Sequence, residues 1–90
     1  MSIKRILVVD DSNTERHLIG TILMKNGYEV TFAVDGQSGV ETAIKNKPDL
    51  IIMDVVMPGL NGFQATRAIT KDPETSHIPI LLCTTKDQET

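Results

Sequence analysis

The 90-residue chain has no tryptophan, one tyrosine, two phenylalanines and one cysteine. Without aromatic anchors the core must be filled by Ile, Leu, Val and Met, which suits strands enclosed by helices better than an aromatic-centred β-sandwich. The lone Cys83 excludes a disulfide framework and leaves no second thiol for a redox or metal pair, which fits a reduced, cytoplasmic compartment. Clusters of Lys or Arg are missing and the net charge is -3, so neither nucleic acid nor a membrane surface is an expected partner. Long apolar runs are missing too. Only Ile6 to Val9 precede Asp10, too short for a secretion signal, and no run approaches membrane-spanning length. A hydrophobic content of 40% over this length supports one small, soluble domain with one core.

What is present alternates in character along the chain. Ile6-Leu7-Val8-Val9 is a continuous apolar run that ends at acids, the habit of a strand covered on both faces in a parallel sheet. Ser12-Asn13-Thr14-Glu15 has the capping-box pattern; behind it Leu18, Ile19, Ile22 and Leu23 share a helical face, and Asn26-Gly27 supplies a left-handed stop. Glu29 to Val34 predicts a second strand closed by an Asp35-Gly36 turn. Val40, Ala43 and Ile44 give a second helix its inward face, and Lys45-Asn46-Lys47-Pro48 ends it. Leu50-Ile51-Ile52-Met53 repeats the first pattern and terminates at Asp54. Met57 to Gly62 is rich in turn formers, and Phe63 to Thr70 resumes helical spacing through Phe63 and Ile69. Lys71 to His77 reads as polar loop, and Ile78 to Cys83 as a fourth buried strand with Thr84-Thr85 at its exit. The order βαβαβαβ predicts an α/β, doubly wound parallel sheet with helices on both faces.

In such sheets ligands gather beyond the carboxyl ends of the strands, where strand order reverses. Asp10, Asp11, Asp54 and Thr84 all fall at such ends. If the first and third strands are neighbours, the three carboxylates converge, and their mutual repulsion calls for a cation. Hard carboxylate oxygens with backbone carbonyls and water suit Mg²⁺, with Mn²⁺ as a substitute, while the lack of nearby His or thiol ligands disfavours zinc. The plainer alternative is that Asp10-Asp11 caps the first helix and Asp54 opens a turn, as single aspartates after strands commonly do. Three acids and a hydroxyl on one rim weigh against it. His17, His77, Cys83, Met24, Met53 and Met57 have no paired ligand at usable spacing and read as solvated or packing residues.

VVDDSNTER, DLIIMDVVMPGLNG and IPILLCTT, in that order, resemble the receiver domain of response regulators, with its chemotaxis-protein-like, flavodoxin-like fold. FQATR and TTKDQET are most similar to single-domain receivers associated with twitching motility and type IV pili. The resemblance implies strand order 2-1-3-4 and a phosphoacceptor at Asp54. It implies Mg²⁺ held by Asp11, Asp54 and the Val56 backbone carbonyl, with Asp10 assisting. Thr84 matches the switch hydroxyl that bonds a phosphoryl oxygen, and the Thr85 amide points at the same group. Val56 and Lys86 match positions flanking the path of the water that hydrolyses the acyl phosphate, and Met57-Pro58 and Gly62 the loop that shapes the site. Implied partners are a histidine kinase or phosphotransfer protein and a downstream effector.

The family also has a fifth strand bearing a lysine, and a fifth helix, which residues 1–90 do not supply. On that reading these residues form a receiver domain incomplete at the C-terminus, with an apolar fourth-strand edge open to self-association or completion by another chain. A fragment serving only as a structural or interaction module is the alternative function. A Mg²⁺-dependent phosphohydrolase fits less well, because Asp10-Asp11-Ser12 is not D-x-D. A nucleotide or flavin binder lacks its glycine-rich loop. The expected role is a switch, not a turnover enzyme.

Overall fold

The computed structural model of the protein describes residues 2–83. Seven elements alternate as predicted: β1 (Arg5–Val9), α1 (Asn13–Lys25), β2 (Glu29–Ala33), α2 (Gly36–Asn46), β3 (Leu50–Asp54), α3 (Gly62–Lys71) and β4 (Ile80–Cys83). The strands form one parallel sheet in the order β2-β1-β3-β4. Helices α2 and α3 pack together on one face and α1 lies on the other; β1 and β3 are the central strands, with β1 between α1 and α2 and β3 under α3. Their uninterrupted apolar runs are the sequence trace of that position. Leu7, Val9, Ile51 and Met53 are fully buried against Ala43, Ala65 and Ile69, which makes the sheet face under α2 and α3 the main core.

Each helix starts where a side chain can accept from its free amides. Asp35 is the N-cap of α2 in a reciprocal box with Ser38, so the pair Asp35-Gly36 opens a helix and is not the predicted strand-closing turn. Asn61 does the same for α3 with Gln64. At α1 only half of the predicted box forms. Ser12 Oγ accepts from the Glu15 amide at 3.2 Å, but the Ser12 amide donates to Asp10 Oδ1 instead of the Glu15 carboxylate. Gly27, with φ 89°, makes the left-handed stop after α1.

Several predicted inward residues face outward. The apolar stripe of α1 is wider than its contact: Leu18 and Ile22 lie opposite Gly20, the residue that meets the sheet through the Phe32 ring, and are 55% and 54% exposed. Phe63 and Ile44 are also exposed, since α3 and α2 turn Ala65, Ile69 and Ala43 inward. Strand β4 begins at Ile80, not Ile78, because Pro79 has no amide to donate and Ile78 closes a turn on the Thr75 carbonyl. Leu81 and Leu82 are exposed, so the strand read as buried is an apolar edge among the described residues. The loop read as polar contains the fully buried Thr75, whose hydroxyl donates to the Ile69 carbonyl at 2.7 Å and ties down the end of α3. No helix among the described residues is long and apolar enough to cross a membrane.

The amino-terminal edge of the sheet carries a separate network. Asp49 accepts the amides of Lys4 and Arg5, both at 2.9 Å, while the Arg5 guanidinium donates to the Asn46 and Lys47 carbonyls at the end of α2. Those amides, Arg5 foremost, hold the Asp49 carboxyl below its ordinary value of 3.8 against a smaller opposing effect of burial. A depressed carboxyl contributes stability that is complete above pH 3.8 and is lost as pH falls below it. Asp49→Asn is therefore expected to lower stability near neutral pH and to flatten its decline below about pH 4, as read by urea unfolding across that range.

Candidate metal centre

Parallel pairing of β1 with β3 sets Val9 beside Met53, so the next residue of each strand, Asp10 and Asp54, arrives at the same edge. Both carboxylates are buried, at 2% and 1% exposure. Asp11, one residue further, is exposed. One oxygen from each of the three lies within 4.8 Å of the others. The structure thus brings together the three acids that the sequence singled out.

The surrounding backbone fixes them. The Asp10 amide donates to the Ala33 carbonyl at 3.1 Å and its Oδ1 accepts from Ser12, which anchors the residue at both ends. Asp54 closes β3, and the following Val55 amide donates to the Cys83 carbonyl at 2.9 Å. The Val56 amide makes a long 3.4 Å contact with Asp54 Oδ1, so the chain curls back over the carboxylate. Val56 itself is 54% exposed. Gly62, the first residue of α3, donates its amide to the Val55 carbonyl and closes the loop.

Three carboxylate oxygens this close repel one another. For two full charges at 4.8 Å the cost is about 3.5 kcal/mol at an effective dielectric of about 20. The set is all hard oxygen, two members are withdrawn from water and one is open to it, so the residues fit a small divalent cation such as Mg²⁺ that keeps part of its water shell. Cys83 pairs in register with Asp54. Burial pushes its thiol up, and the charges of Asp54 and Asp10 add to this. The predicted roles of Thr84, Thr85 and Lys86 fall outside the described residues.

Sequence reasoning missed two features. Arg16 reaches back to donate to the Asp10 carbonyl at 2.7 Å; its only trace in sequence is a cation in the first turn of a helix, where the dipole disfavours one. Gly36 packs under the loop after β3, with the Leu60 carbonyl 2.2 Å from where its Cβ would stand.

A sequence profile described as "Response regulator receiver domain" matches residues 6–90. The chain is 58% identical over 86 residues to Protein PilH of Pseudomonas aeruginosa, covering 96% of this chain and 71% of that one. Among solved structures, the chemotaxis protein CheY4 of Vibrio cholerae superposes with a TM-score of 0.87 at 36% identity, covering 97% of this chain and 72% of that one. The receiver domain of a sensor histidine kinase from Pseudomonas aeruginosa, solved with a magnesium ion coordinated in its active-site cleft, gives 0.88 at 33% identity, covering 94% and 70%. The predicted fold and the predicted likeness to pilus receivers agree with these matches.

The loop that carries Val56 depends on a glycine. A Cβ at Gly62 would stand 2.3 Å from the Asp54 carbonyl and 2.7 Å from the Val55 Cα, both backbone atoms that cannot step aside cheaply. Gly62→Ala is expected to destabilise the protein by about 1–3 kcal/mol in urea unfolding, the range for overpacking.

Proposed function

The chain belongs to the response regulator receiver family of two-component signalling, and from that premise we propose that it accepts a phosphoryl group on Asp54 in a Mg²⁺-dependent reaction. The observation that carries the reading is the meeting of Asp10, Asp11 and Asp54 at the carboxyl edge of two adjacent central strands. Asp11, Asp54 and the Val56 carbonyl would hold the ion, with Asp10 assisting. When bound, Mg²⁺ offsets the charge of the three carboxylates and of the incoming phosphoryl oxygens.

The Asp54 carboxylate is the nucleophile. One of its oxygens attacks phosphorus in line, a P–O bond forms, and the P–N bond of the donor phosphohistidine breaks with its electron pair leaving on the imidazole. Acetyl phosphate can serve as donor by breaking a P–O bond instead. Asp54 is buried at the floor of the cup, which limits the directions from which a donor can approach its carboxylate. The acyl phosphate adds about two negative charges at the end of β3. Thr84 and the Thr85 amide would then bond the phosphoryl oxygens and bias the surface that an effector reads. One modification event per chain, passed from a histidine kinase or phosphotransfer protein to an effector, is the output; sustained turnover is not.

Asp54→Asn is expected to abolish covalent phosphorylation by acetyl phosphate, and chelation of Mg²⁺ to abolish it in the unmodified chain. Label on the asparagine variant would reject the assignment. The Val56 side chain offers no polar atom to orient a hydrolytic water. Loss of phosphate from Asp54 is therefore expected to be slow, and Val56→Asn to speed it several-fold in a decay assay.

A further inference from the structure

We propose that Arg16 is a positioning residue for the acid cup: it acts through the main chain of Asp10 to aim Asp11 at the cation. The inference rests on the magnesium reading of the site. The Arg16 guanidinium forks, with one nitrogen donating to the Asp10 carbonyl at 2.7 Å and the other to Asn13 Oδ1. Asp10 is thereby held at its amide by Ala33, at its carboxylate by Ser12 and at its carbonyl by Arg16. That last bond matters for the next residue. The Asp10 carbonyl, the Asp11 amide and the Asp11 Cα share one peptide plane, so fixing the carbonyl fixes the position of the Cα from which the Asp11 side chain departs and leaves φ as the one backbone rotation before it. Asp11 is the exposed member of the cup.

Placement argues against a role in helix stability alone. Arg16 is the fourth residue of α1, where a cation opposes the helix dipole, and a residue chosen for the helix would be neutral or acidic there. A lysine could not serve two acceptors in one plane as this fork does. The charge by itself would compete with a metal ion, so charge and positioning have opposite signs in a binding experiment. Arg16→Ala raises Mg²⁺ affinity if charge dominates and lowers it if positioning does. Arg16 also lines an open groove of about 460 Å³ with His17, Met24, Phe32 and Val34. Solvent therefore reaches it, and the effect belongs at the low end of the range known for outer-shell partners of metal ligands.

The test is calorimetric titration of the folded chain with magnesium chloride, paired with urea unfolding in metal-free buffer. Arg16→Ala is expected to weaken Mg²⁺ binding roughly tenfold. Arg16→Lys, which keeps the charge and one donor, should restore part of the loss and also serves if the alanine variant does not fold. A purely structural role would move the urea midpoint and leave the affinity of the folded protein unchanged. Equal or tighter binding by Arg16→Ala overturns the proposal while the magnesium reading stands. Absence of binding by the unmodified chain removes both, and so separates the two failures.

Discussion

The register of β1 against β3 is the constraint on which the rest depends. Pairing Val9 with Met53 places the next carboxyl of each strand at one edge, and a slip of one residue would turn Asp54 to the opposite face of the sheet. The slip is blocked from inside. Val9 and Met53 are fully buried with Leu7 and Ile51 on the face covered by α2 and α3, so displacing either strand would expose that set. Hydrophobic burial thus holds two acids in an arrangement that their own repulsion opposes. The core contributes the stability, and the rim carries the chemistry.

Close backbone approaches transmit this order to the loops. Gly62 lets the start of α3 lie against Asp54 and Val55, and Gly36 lets the start of α2 lie against Leu60. The loop between Asp54 and Gly62 is pinned near both ends by residues without side chains and by the buried Met57, while Pro58 and Gly59, the latter at φ 72°, stay exposed. The frame holds Asp54 in place while leaving the mouth of the acid cluster open.

The central strands and their acids were legible because a doubly covered strand leaves an unbroken apolar run, and a run that stops at Asp marks the sheet edge where ligands sit. Helix caps were legible only in part. Ser12, Asp35 and Asn61 have the right chemistry, but Asp35-Gly36 serves a turn or a cap equally well, and only the sheet geometry decides. Periodicity located α1 but not its orientation, since the stripe from Leu18 to Leu23 spans more of the helix than the sheet can touch. Gly20, which carries no hydrophobic signal, is where the helix meets Phe32. Arg16 was illegible for a different reason. Its acceptor is a carbonyl, which every residue has, so no residue type announces the contact.

Stability and function sit at opposite edges of the same sheet. At the amino-terminal edge, Asp49 and Arg5 satisfy each other's surroundings: an acid receives two amides, and a guanidinium receives two carbonyls at a helix end where cations are favoured. At the carboxyl edge the signs are frustrated, with three acids together and a cation at the wrong end of its helix. Local rules hold at the first edge and fail at the second, which is where a site is expected to break them. The second edge tolerates this because its cost is localised on a few side chains above a buried apolar core. The register of β1 against β3, set by that core, is what keeps the three acids together at the rim.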